Sequence, residues 1–171
     1  MKRAGSLVAD RRGAIYVEFL IVFLPILTLF LSLVQLAFVE VANLVTKHAA
    51  VAAARAAIVV LPDNPQFYPS GDLNHSEGDR LDAIQAAARA RLLAVSVNPH
   101  VDVTFPSSPG AGDSKTAFQN GESVRVQLAF DYPCYIPIGS RFVCDVFTLH
   151  KTLKAEAAMP LQSASYTYED E

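Results

Sequence analysis

Tryptophan is absent from the 171 residues, and cysteine and methionine occur twice each. Charge is balanced as well as sparse: 14 Lys and Arg against 17 Asp and Glu leave a net charge of -3. The basic residues are spread out, so no large basic surface is available to neutralise phosphates, and nucleic acid is set aside as a partner. Catalytic patterns are missing too. His48, His75, His100 and His150 are scattered, there is no HExxH or GxSxG, and no paired carboxylates stand in an apolar context apart from the single Glu18. The expectation is a protein that is not an enzyme, with no cofactor and no metal. The length admits one membrane-spanning segment and one exported domain.

Two segments imitate ligand-binding loops and fail on spacing. Asp72 to Asp79 places oxygen ligands at alternate positions, as a calcium loop does, but Gly78 comes one place late and Ala83 stands where a bidentate Glu is required. It reads as a polar loop containing a helix N-cap, next to a turn-rich linker over 62–78 that lies at the surface. Gly110 to Thr116 suggests a phosphate loop, but Ser114 precedes Lys115 where glycine is needed, and a strand comes next instead of a helix. An exposed hairpin loop over 106–120 is expected.

What the chain does have is hydrophobicity, 51% of residues, concentrated near the N-terminus. Lys2, Arg3, Arg11 and Arg12 make the start basic, with Asp10 the only acid among them, and from Ala14 the chain turns apolar as far as Gln35. A bilayer core of about 30 Å needs about 20 helical residues at about 1.5 Å each, and this run supplies them. The arginines hold the N-terminus on the cytoplasmic side, so the chain beyond Gln35 is exported. A cleaved secretory signal is the competing reading, but its apolar stretch is only about 7–15 residues and ends in a small-x-small site. Here Glu40 and Ala42 continue a helix-forming sequence, rich in Ala, Val and Leu, until Pro62 stops it.

Two residues suit a plain anchor badly. Pro25 removes a backbone hydrogen bond and should bend the helix, which membrane helices tolerate. Glu18 places a carboxylate inside the apolar run, at a cost of about 2.5–3.5 kcal/mol if ionised. Either it snorkels to the nearby interface or it has a partner. The order of basic leader, Gly13, four residues, Glu18 and then a long apolar helix resembles the type IV prepilin signal. With Arg11-Arg12-Gly13-Ala14-Ile15-Tyr16-Val17-Glu18-Phe19, a Pro-interrupted Leu-rich helix and the stretch Ala50-Val51-Ala52-Ala53-Ala54-Arg55-Ala56-Ala57, it looks like the TadE-like minor pseudopilins of the tight-adherence (Tad) pilus.

That resemblance implies cleavage after Gly13 by a prepilin peptidase, a new N-terminus at Ala14, and Glu18 as the fifth mature residue, paired with a neighbouring subunit's amine. It implies that Glu18, Phe19 and Pro25 serve subunit assembly. The partners implied are other minor pseudopilins, the major pilin, the prepilin peptidase, and an inner-membrane assembly platform with its ATPase. The location implied is the bacterial inner membrane, with a periplasmic C-terminal domain that can enter an extracellular pilus. An uncleaved single-pass protein with a periplasmic binding domain is the alternative.

The expected architecture is α+β. A cytoplasmic leader covers 1–13, and a helix covers 14–60, transmembrane to about residue 38. An exported domain over 61–171 holds a second helix from Asp79 to Ala94 and a small antiparallel sheet with one buried face. The helix should turn Leu81, Ile84, Ala88 and Leu92 to one side and Arg80, Arg89 and Arg91 elsewhere. The strands are read from alternation in His100 to Phe105, Ser123 to Phe130 and Thr152 to Met159. Cys134 and Cys144, in an oxidising compartment, should form a disulfide, since they lack the CxxC spacing and nearby His of a redox or metal site.

Overall fold

The structure is a computed structural model that describes residues 12–145 and 147–161, with residues 12–15 described by their backbone alone. It is α+β, as the sequence patterns predict. The leader up to Arg11 lies outside the described residues. The first helix, α1, runs unbroken from Arg12 to Val60 and passes through Pro25. Pro25 leaves the carbonyl of Ile21 without its usual partner. Nearby hydroxyls bond back to the backbone, Thr28 Oγ1 to the Pro25 carbonyl at 2.8 Å and Ser32 Oγ to the Thr28 carbonyl at 2.7 Å.

The described chain falls into two compact units. One comprises α1 up to Ala37 together with Cys134–Leu149, and the other runs from Phe38 to Pro133 and resumes at His150. In the second unit, α1 buries Val39, Ala42, Thr46, Ala49, Ala50, Ala53, Ala57 and Val60, a stripe with helical spacing made mostly of alanine. Helix α2, Gly78–Leu92, adds Ile84, Ala88 and Leu92. The strands are β1 (Val101–Thr104), β2 (Ser123–Pro133) and β3 (His150–Pro160), antiparallel in the order β1-β2-β3.

The alternation in β2 is strict. Val124, Val126, Leu128, Phe130 and Tyr132 are buried while their neighbours face outward. Pairing with β3 extends from Ser123↔Pro160 to Pro133↔His150, so both strands are longer than their alternation alone suggests. In β2 the extension continues the alternation through the buried Tyr132, and in β3 the added residues His150 and Lys151 are exposed and held by pairing with β2.

Three local expectations change. Arg80 lies on the buried face of α2 with Ile84, Ala88 and Leu92, whereas Leu81 is only half-buried. The α2 N-terminus has no cap from the adjacent Glu77. Instead Ser70, nine residues away, accepts from the Asp79 N–H through its Oγ at 2.9 Å, and its own N–H donates to Asp79 Oδ2 at 3.1 Å. Gly78, at φ +56°, allows this approach, since a Cβ there would lie 2.4 Å from the Ser70 carbonyl oxygen.

The two surface loops are also not independent. Ser76 N–H donates to the Thr116 carbonyl at 2.8 Å, and Phe118 N–H to the Asn74 carbonyl at 3.0 Å. The pair is anchored by Phe118, which is buried and meets Phe105 edge to face.

In the unit formed with the apolar half of α1, residues 134–149 connect β2 to β3 and carry a short helical turn, α3, Ser140–Val143. The disulfide Cys134–Cys144 closes this loop.

Candidate functional site

Gly13 and Ala14 fall in the first turn of α1. One turn later Glu18 is exposed, and none of the ion pairs among the described residues includes it. Phe19 is exposed and stacks on Phe23 with ring centroids 5.1 Å apart, as side chains four residues apart on a helix should. Pro25 is exposed too. The structure thus sets Glu18, Phe19 and Pro25 on one bare helix.

The exposure of this helix is its main chemical property. Tyr16, Val17, Ile21, Ile26, Leu29, Phe30 and Leu33 are all more than half exposed, at positions that go round the helix. The most apolar stretch has a mean hydropathy of 2.6, none of it is buried, and it is long and apolar enough to cross a membrane. A core helix of a water-soluble protein would be mostly covered. A helix apolar all round and bare of protein is suited to a bilayer or to other helices.

Toward the C-terminal end of the apolar stretch a polar side chain is fully covered. Gln35, fully buried, accepts from the Ile136 N–H through Oε1 at 3.1 Å and turns its Nε2 toward Cys144 Sγ at 3.9 Å. Beside it, Gly139 rests on the helix backbone. An added Cβ would stand 2.6 Å from the Leu31 carbonyl oxygen and 3.2 Å from the Ser32 Cα, neither of which can yield as a flexible side chain would. Gly139 is required for close approach and not for its backbone angles, which are ordinary at φ -59°. The preceding Ile138 takes φ +71°, at a cost of about 1–2 kcal/mol for a β-branched residue. The expected disulfide therefore belongs to a loop seated on the helix, and sequence reading missed both Gln35 and Gly139. A lone glutamine at the end of an apolar run was the available signal.

The second unit has a groove of about 620 Å³ between α1 and α2, lined by His48, Val51, Ala52 and Arg55 on one side and Ala87, Ala90 and Arg91 on the other. Its walls are small apolar residues and its charges are positive. Elsewhere on this unit one ion pair joins β2 to β3 and another closes the loop that leads into β2. Arg125 Nη1 donates to Glu156 Oε1 at 2.6 Å, and Lys115 pairs with Glu122. Hydrogen bonds from these cations hold the Glu156 and Glu122 carboxyls below the ordinary value, and a bond from Ser107 does the same for Asp113.

The loop that imitates a phosphate site bonds its polar groups to the chain around it. Ser114 Oγ accepts from Phe105 N–H at 3.1 Å, Asp113 from Ser107 N–H at 3.2 Å, and Gly110 N–H donates to Glu156. Among the described residues no group of three or more His, Cys, Asp or Glu is placed to hold a metal ion. The chain matches no protein-family model, no curated protein and no solved structure.

Proposed function

We propose that the chain is a TadE-like minor pseudopilin that initiates, caps or regulates assembly of a Tad-type pilus or related secretion filament. It sits in the bacterial inner membrane with its N-terminus cytoplasmic and its sheet-bearing unit periplasmic. A prepilin peptidase hydrolyses the Gly13–Ala14 bond and leaves an α-amine on Ala14. The helix then packs against other minor pseudopilins and the major pilin, served by the assembly platform and its ATPase.

The observation that supports this reading best is α1 itself. Its first half is apolar and uncovered while its second half, without a break, is the alanine-lined wall of a folded core. Such a helix resembles an assembly element that is also an anchor. Glu18 adds to this, since a carboxylate on an uncovered apolar helix is stabilised by a cation that a neighbouring subunit's α-amine would supply. The alternative, an uncleaved single-pass protein with a periplasmic binding domain, draws on the groove between α1 and α2.

Mass spectrometry of the mature N-terminus tests the proposal. A chain that starts at Ala14 supports it, and Gly13→Ala should then leave the full-length form. A chain retaining its leader in a host with an active prepilin peptidase overturns it. Glu18→Ala should be cleaved and inserted normally yet lose co-purification with its neighbours.

A further inference from the structure

We propose that the disulfide-closed loop, Cys134–Leu149, is a second membrane contact whose exposed apolar side chains enter the headgroup–acyl boundary of the outer leaflet. The inference rests on the membrane-spanning part of the reading above, and on three features of the loop.

The first is its level on the helix. Counting from Glu18 at about 1.5 Å per residue, Leu31 stands about 20 Å along α1 and Gln35 about 26 Å. If Glu18 marks the cytoplasmic edge of a core about 30 Å thick, both residues lie within the outer part of that core. The loop is fixed at those two residues, by Gly139 against the Leu31 carbonyl and by Ile136 on Gln35. It is therefore seated at the membrane boundary and not above it.

The second feature is the composition of its outer surface. Phe147 is 96% exposed, Phe142 73% and Tyr135 62%, with Ile138 and Leu149 also open. Arg141, exposed, adjoins Phe142. Aromatic side chains beside a cation are what the interface of an anionic bilayer favours, rings at the headgroup level and the charge among phosphates.

The third is the satisfaction of the backbone. Lipid tolerates irregular chain only where its polar groups are bonded within the protein. The N–H groups of Gly139, Ser140, Arg141, Phe142 and Cys144 all donate to carbonyls inside the loop. The N–H groups of Phe147 and Thr148 donate to the Asp145 carboxylate, which stays at the exposed rim of the loop with its charge partly met by these bonds. Much of the irregular backbone that would meet lipid is thus bonded within the loop.

The absence of native tryptophan makes the test direct. Full-length single-tryptophan variants Phe142→Trp, Phe147→Trp and, as a reference in the span, Phe30→Trp are reconstituted into phosphatidylcholine–phosphatidylglycerol vesicles. The lipids are brominated either near the headgroup or near the chain ends.

The loop tryptophans should emit at shorter wavelength than in water and lose roughly half their intensity to the shallow bromines, as burial of about 5–10 Å implies. The deep bromines should affect them less. Quenching of both loop variants by aqueous iodide but not by bromolipid overturns the inference. Protection from both quenchers overturns it also, because a protein neighbour then covers the loop. Quenching of Phe30→Trp by bromolipid in either of those cases shows that the spanning reading stands while the loop proposal fails. Absence of quenching at Phe30→Trp sinks both.

Discussion

Arg80 is buried because its guanidinium meets the carbonyls that a helix leaves over at its C-terminus. Its Nη1 donates to Val60 and, at 3.2 Å, to Leu61, Nη2 donates to Asp63 at 3.1 Å, and Nε to Gly71 at 3.3 Å. The face of Tyr68 lies 4.7 Å away. The last carbonyls of α1 have no intrahelical donors and carry the negative end of the helix dipole, so a forked cation satisfies both needs at once. Arg80→Met should destabilise the fold by about 2–3 kcal/mol, since it removes charge-assisted bonds to four carbonyls and leaves those of Asp63 and Gly71 without this donor. Arg80→Lys should restore only part of that, because an ammonium cannot reach in several directions. Chemical denaturation of the full chain in detergent, monitored by far-ultraviolet circular dichroism, measures both. In the sequence Arg80 reads as lying off the apolar face, although its spacing of four from Ile84 places it on the side that the structure buries.

At the scale of elements, the loop and α1 define each other. The loop-closing disulfide spans ten residues, for which chain entropy gives roughly 2.5–3 kcal/mol of stabilisation. That bond closes the loop but does not seat it. Seating depends on Gly139 and Gln35, and Gly139→Ala should push the loop off Leu31 at a cost of about 1–3 kcal/mol. The amide of Ile136, now bonded to Gln35, reports this specifically. Its hydrogen exchange should rise at least roughly fivefold, the equivalent of about 1 kcal/mol. Unchanged exchange at Ile136 in Gly139→Ala would show that the loop is held by something other than this contact. The alternating strands and the helical stripe were legible because each depends on a local period. The seating was not, because it joins residues 101 positions apart.

For the whole molecule, three surface carboxyls of the sheet unit add a modest dependence on acid pH. Glu122 and Glu156 have folded-state values lowered mainly by bonds from Lys115 and Arg125, and Asp113 by Ser107. A lowered carboxyl stabilises the fold above its unfolded value, about 4 for these groups, and that contribution disappears as pH falls through the folded value. Their contribution to the melting temperature should be constant above about pH 5 and decline below about pH 4. Arg125→Met should make the decline shallower, and salt should shrink it too, because the groups are exposed and screened. Thermal melts of the full chain across that range check the sign, and a decline unchanged in Arg125→Met would remove Glu156 as a cause.

The sequence by itself determined the apolar helix, the place of Glu18 within it, the buried face of the sheet and the pairing of Cys134 with Cys144. Each is set by composition, by a short period or by there being only one possible partner. The tertiary structure alone decided that Arg80 belongs inside, that Ser70 caps α2, and that Gln35 and Gly139 hold the disulfide loop on the helix. Polarity and small size say what a residue can do, but whether a polar group is buried depends on which distant backbone atoms arrive to satisfy it.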